Sequence, residues 1–163
     1  MTGFFGRHRT GANARGFTMI EVISVILVIA ILTVVFISAT TSTAVYTLKS
    51  QTDVIKTHLR YAQTRAMNSS VLWGINFAGG SYTLITNGAI PSPVMLPGED
   101  SNVVTLPSGV ATTTGIVTFN DWGKPYTDAA GTTPQNGDRD ITVSLSGATS
   151  EKITITRNTG FIP

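Results

Sequence analysis

The sequence predicts an α+β chain: a long N-terminal helix, transmembrane in its first half and amphipathic in its second, packed on an antiparallel β-sheet head. Three observations carry that expectation. Residues 17–39 are apolar almost without break, with GFTMIEVISVILVIAILTVVF at the heart of the run. Beyond it Leu48, Ile55, Leu59, Ala62 and Ala66 recur at three-to-four spacings, the mark of a helix with one buried stripe. From residue 71 onward the texture turns to short β-branched and aromatic runs parted by Gly, Pro, Asn and Ser.

Four segments follow in order: a basic leader (1–16), a transmembrane helix (17–39), its amphipathic continuation (40–70) and a β-rich head (71–163). The leader, MTGFFGRHRTGANARG, holds Arg7, Arg9 and Arg15 and no acid. It accounts for the net charge of +2, because from residue 17 onward eight Lys/Arg stand against nine Asp/Glu. That distribution removes most of the case for nucleic acid as a partner. The chain has no cysteine, which excludes a disulfide framework, a thiolate nucleophile and a Cys-based zinc site.

As a helix, residues 17–39 would reach about 35 Å at ~1.5 Å per residue, against about 30 Å of bilayer hydrocarbon. No charge interrupts the chain between Glu21 and Lys49. The basic residues lie on the N-terminal side, so the positive-inside bias puts the N-terminus in the cytoplasm and the C-terminal head outside. A secretory signal is cut after its apolar region, whereas here the small residue, Gly16, precedes it. The expectation is therefore a single-pass membrane anchor, with lipids as its surroundings.

The continuation opens with a Thr- and Ser-rich collar, Thr40–Ser50, at the outer interface. Asp53 can pair with Lys49 and Lys56 within one turn. Asn68-Ser69-Ser70 marks a stop. In the head, VLWGINF (71–77) and SYTLIT (81–86) read as a hairpin, a Pro-rich loop (89–100) leads to NVVTL (102–106), and GIVTFN (115–120) runs into the turn 121–125. After a polar loop (127–137), DITVSL (140–145), the turn SGATS and EKITITR (151–157) make a second hairpin, with Ile141, Val143, Leu145, Ile153 and Ile155 alternating onto one face.

Gly16-Phe17-Thr18-Met19-Ile20-Glu21, behind a short basic leader and opening a long apolar helix, resembles the prepilin motif of type IV pilins and type II secretion pseudopilins. The resemblance implies that a prepilin peptidase cuts between Gly16 and Phe17 and N-methylates Phe17, and that Glu21 is the family's filament-assembly acid. The physics of such an acid can be argued. A carboxylate in a bilayer helix costs roughly 2.5–3.5 kcal/mol, so it usually has a partner. Cleavage would free an α-amino cation at Phe17, and each Glu21 could neutralise that of a neighbouring subunit and set its axial register. The order HLRYAQTRAMNSSVLWGINF, GIVTFNDWGKP and ITITRNTGFI further resembles the GspH/FimT-type minor pseudopilins, along nearly all of residues 16–163. The implied fold is type IV pilin-like. The implied role is a minor subunit of a type II secretion filament; the alternative is a minor type IV pilin of FimT type, acting in pilus assembly or in binding DNA or surfaces. Implied partners are other pseudopilins or pilins, the prepilin peptidase and an inner-membrane assembly platform, and the implied location is a bacterial inner membrane with the head in the periplasm, incorporated into a periplasmic filament.

Other chemistry has thinner support. His58 has no nucleophile near it in sequence and is expected on a solvent-facing or edge-packed helix flank; there is no P-loop, no G-x-G-x-x-G and no G-x-S-x-G. No enzyme and no cofactor are expected. Asp128, Asp138 and Asp140 flank a Gly-rich loop and are weak calcium candidates, but their spacing fits no EF-hand and Arg139 lies between two of them. Lys49, Lys56, Arg60 and Arg157 could contact phosphates, though acids lie close to each group. Trp73, Trp122, Tyr82 and Phe119 are expected in the core, with a subunit contact as the second reading for Trp122.

Overall fold

The computed structural model describes residues 16–90, 92–146 and 150–163, apart from the side chains of 35 and 37–44. The expected leader, residues 1–15 of it, lies outside the described residues, as do parts of the expected span, collar and SGATS turn. Helical backbone is assigned over Met19–Met67, here α1. The chain divides, however, into two compact units, Met1–Thr40 and Thr41–Pro163. The described helical side chains are those of residues 19–34, 36 and 45–67.

This corrects the expected fold class. Two short helical stretches and two antiparallel sheets stand in place of a long N-terminal helix packed on one sheet. Among the described residues, no helix is long and apolar enough to cross a membrane. The expected span counts apolar side chains as far as residue 39, whereas those described without a break run only to residue 34. The expected placement as a single-pass inner-membrane protein is corrected with it.

In the second unit, residues 45–67 present Leu48, Thr52, Ile55, Leu59, Ala62 and Ala66 to the interior, all buried. The steps between them alternate four and three residues, so they line one face of the helix. α1 ends at Met67, where Asn68 Nδ2 donates to the Thr64 carbonyl (2.8 Å) and Ser69 Oγ to that of Arg65 (2.7 Å). The Ser69 bond satisfies a carbonyl that the helix end leaves open, and the Asn68 side chain doubles the bond from its own backbone N–H to Thr64 (3.1 Å). Trp73 Nε1 donates to Ser69 Oγ (2.9 Å), and the Arg65 guanidinium lies 4.9 Å from the Trp73 ring centre. A cation over an indole face is attractive, so the first strand is fastened to the helix end.

Strands β1 (Trp73–Phe77) and β2 (Ser81–Thr86) form an antiparallel hairpin. β3 (Val103–Thr105) adds to β2; β5 (Gly115–Phe119) adds to the other side of β1, and β6 (Pro125–Tyr126) to β5. The five-stranded order is β3-β2-β1-β5-β6. β1 is central and buried on both faces, and Gly74 lets β5 lie close, since a Cβ there would collide with the Val117 carbonyl. A second sheet has the order β4-β7-β8, built from β4 (Val110–Thr112), β7 (Arg139–Leu145) and β8 (Ser150–Ile155). Both sheets and the 45–67 stretch contribute to one core, with Ile55, Leu59, Ile75, Phe77, Tyr82, Val117, Phe119, Ile141 and Ile153 fully or almost fully buried.

The last residues strap across the helix. Ile162 is buried, and its carbonyl accepts from Arg60 Nε (3.2 Å) and Nη2 (3.0 Å). Gln63 Nε2 donates to the Gly123 carbonyl (3.1 Å) and the Thr159 carbonyl (2.9 Å), so one amide ties two turns to α1.

Candidate assembly site

The expected assembly residues open the first unit. Gly16 is exposed, and among the described residues a Cβ added there would meet nothing within 4 Å. Phe17 is 83 % exposed. Thr18 and Glu21 then start the helix. Glu21 N–H donates to Thr18 Oγ1 (3.3 Å), and Thr18 N–H donates back to Glu21 Oε2 (3.5 Å). This is the reciprocal capping box of a T-x-x-E start, in which each side chain satisfies a backbone donor of the other residue. The carboxylate also sits where the helix dipole favours negative charge. The T-x-x-E spacing was present in the sequence, but the apolar surroundings drew the reading to assembly alone.

Behind the box, Ile20, Ile23, Val25, Ile26, Leu27, Ile29, Ile31 and Leu32 are all exposed. Phe17, Glu21, Val22, Val25 and Ile26 line a shallow apolar depression of about 260 Å³. An apolar surface of this extent marks a contact site in general. The arrangement can bury greasy side chains against a partner and offer it one carboxylate at the helix start.

The calcium candidates are not brought together. Asp128 accepts from Thr132 N–H (3.0 Å), Thr132 Oγ1 (2.8 Å) and Thr133 N–H (2.8 Å), closing its own loop. Those bonds, the Thr133 amide foremost, hold its carboxyl below the usual range. Asp138 accepts from Arg157 N–H (2.9 Å). Asp140 accepts from Thr154 Oγ1 (2.8 Å) and pairs with Lys152 (3.1 Å), and the Thr154 bond leads in lowering its pKa. Among the described residues, no group of three or more His, Asp or Glu could hold a metal ion. Of the phosphate-contact candidates, Arg60 spends its guanidinium on Ile162, and Lys49 and Lys56 lie on the same stretch of α1.

Two further expectations are corrected. His58 is not solvent-facing: it is 3 % exposed and bonded to Tyr82 and Pro97. Trp122 is not a core residue, being 83 % exposed. Its turn is rigid, because Asn120 Oδ1 accepts from both Trp122 N–H (3.1 Å) and Lys124 N–H (2.9 Å). Trp73, Tyr82 and Phe119 are buried.

Compared with known protein families, curated proteins and solved structures, the chain matches none.

Proposed function

We propose that this chain is a structural subunit of a pilin-like filament, and specifically a minor pseudopilin of a type II secretion system. The observation that carries the reading is the pairing of a GFTMIE start with an exposed apolar helical surface over residues 19–34. In this reading, cleavage after Gly16 frees an amine at Phe17. Apolar faces of neighbouring subunits then bury against one another, at about 25 cal/mol per Å² of apolar surface removed from water. Burial also lowers the local dielectric, which strengthens the attraction between Glu21 and a neighbour's amine. The charge pair sets register and the apolar surface provides adhesion. The work is assembly, with no turnover of substrate.

The second reading, a minor pilin of FimT type, shares every one of these steps. What would distinguish it is a DNA- or surface-binding head. The use of Arg60 within the fold favours the first reading.

The test is incorporation. Glu21→Ala and Glu21→Lys chains, co-expressed with their filament partners, are expected to be processed at Gly16 yet absent from sheared filaments. Normal incorporation of both variants would overturn the proposal.

A further inference from the structure

Two Asn–Gly pairs lie in the head, and their surroundings differ. Asn136 and Gly137 sit in the loop between β6 and β7, both exposed. Among the described residues the Asn136 carboxamide makes no hydrogen bond and the Gly137 N–H donates to none. A Cβ added at Gly137 would meet nothing within 4 Å of them. Neither a bond nor a neighbour therefore keeps the Gly137 nitrogen from the Asn136 side chain. The loop itself is pinned on both sides. Buried Gln135 Nε2 donates to the Gly137 carbonyl (2.7 Å) and the Ile155 carbonyl (2.9 Å), and Asp138 accepts from Arg157 N–H (2.9 Å).

Asn87 and Gly88 are the contrast. Their φ values of +46° and +79° make a left-handed two-residue turn, closed by Ala89 N–H to the Thr86 carbonyl (2.8 Å), with Asn87 N–H on the Leu72 carbonyl (2.9 Å). A left-handed residue has ψ near about +47°. That angle turns the following nitrogen to the far side of the Cα–C bond from Cβ. The Gly88 nitrogen cannot meet the Asn87 carboxamide until the turn opens.

We propose that Asn136–Gly137 is a self-modification site, at which the head converts its own asparagine to aspartate and isoaspartate through a succinimide, with water as the only co-reactant. The Gly137 nitrogen gives its proton to solvent base and attacks Asn136 Cγ. The new N–C bond closes a five-membered ring, and the side-chain nitrogen takes up a proton and leaves as ammonia. Water then opens the ring. Breaking the bond to Cγ restores the ordinary main chain with aspartate at 136. Breaking the bond to the main-chain carbonyl carbon routes the chain through Cβ and Cγ, as isoaspartate with a free α-carboxylate. Isoaspartate lengthens the main chain by one methylene between Gln135 and Gly137. The Gln135–Gly137 bond spans that interval while the same amide is anchored on Ile155, so the longer chain must give up one of the two. Aspartate keeps the chain length and adds only a charge close to Asp138. This chemistry needs no filament partner.

The test is peptide mass spectrometry on the full chain after incubation in mildly alkaline buffer, with fragmentation that tells isoaspartate from aspartate. Asn136 is expected to convert at least about tenfold faster than Asn87, a difference of about 1.4 kcal/mol in barrier, with isoaspartate present beside aspartate. Gly137 takes no left-handed φ and has room for a methyl group, so Gly137→Ala is accommodated by the fold. That methyl group crowds the attacking nitrogen, and the variant should convert at no more than about a tenth of the wild-type rate. No conversion at Asn136, equal rates at the two asparagines, aspartate without isoaspartate, or an unchanged rate in Gly137→Ala would overturn the proposal. Aged wild type should also melt below equally aged Asn136→Asp, and equal melting would overturn the bridging role given to Gln135.

Discussion

Thr18 and Glu21 close on each other across the first turn of α1, each side chain taking the other's backbone N–H at 3.3 and 3.5 Å. The acid that the sequence singles out for assembly therefore has a local task before any partner arrives. The two tasks separate chemically, because a capping box accepts glutamine as well as glutamate, whereas a charge pair does not. Glu21→Gln is expected to keep the helix start, within about 0.5 kcal/mol, while filament incorporation falls at least about tenfold. Thr18→Ala is expected to cost about 1 kcal/mol of helix stability and leave incorporation largely intact. Circular dichroism and quantified sheared filaments read the two effects. Equal incorporation of Glu21→Gln and wild type would leave the acid as a cap alone.

Gly160 is expected to be the least replaceable residue of the C-terminal strap. Its φ of +62° is left-handed, and a Cβ there would collide with the Gly123 carbonyl and crowd the Gln63 amide. Gly160→Ala should destabilise the head by about 2–4 kcal/mol, from strain and the loss of Gln63's two bonds together. Gln63→Ala should lose about 1–3 kcal/mol, since it leaves the Gly123 and Thr159 carbonyls without their shared donor. Urea denaturation measures both; a Gly160→Ala midpoint equal to wild type would contradict the strap.

The pH response of Asp128 and Asp140 follows from sign. Asp128 and Asp140 have folded pKa values below the ordinary one. Each therefore contributes stability that is present above about pH 4 and is lost as pH falls through the lowered folded value. Melting temperature is expected to hold level from pH 6 to about 4 and then fall, as far as these acids decide it. Asp128→Asn should melt lower at pH 6 and fall less steeply below pH 4. An identical acid slope in the variant would contradict the assignment to Asp128.

Trp122 and Phe119 sit three residues apart with opposite fates. Phe119 is fully buried and Trp122 is 83 % exposed. Phe119→Ala should cost about 3–5 kcal/mol, and Trp122→Ala less than about 0.5 kcal/mol. Chemical denaturation of the two variants checks this, and a large loss in Trp122→Ala would show that its ring packs on the fold.

Much of the head was legible from local pattern. The alternation of Ile141, Val143, Ile153 and Ile155 faces the core of the second sheet, and the stripe from Leu48 to Ala66 is the buried face of α1. What failed was whatever depends on partners distant in sequence. β4, in VAT, has too few bulky residues to signal a strand; it forms because β7 offers it an edge. β6 is two residues fixed by pairing with β5, inside what reads as a turn. His58 is followed by a buried leucine and looks like a flank residue, yet Tyr82, 24 positions on, supplies the hydroxyl that makes its burial affordable. The membrane expectation counted apolar residues over 17–39, whereas the described apolar helical stretch is 19–34.

The most direct test of the account is the intact mass of the chain recovered from purified filaments. A processed assembly subunit is expected to lack residues 1–16, to begin at Phe17 and to carry one added methyl group. A filament-borne chain that still began at Met1 would have no free amine at Phe17 for Glu21 to meet, and would contradict the account at its root.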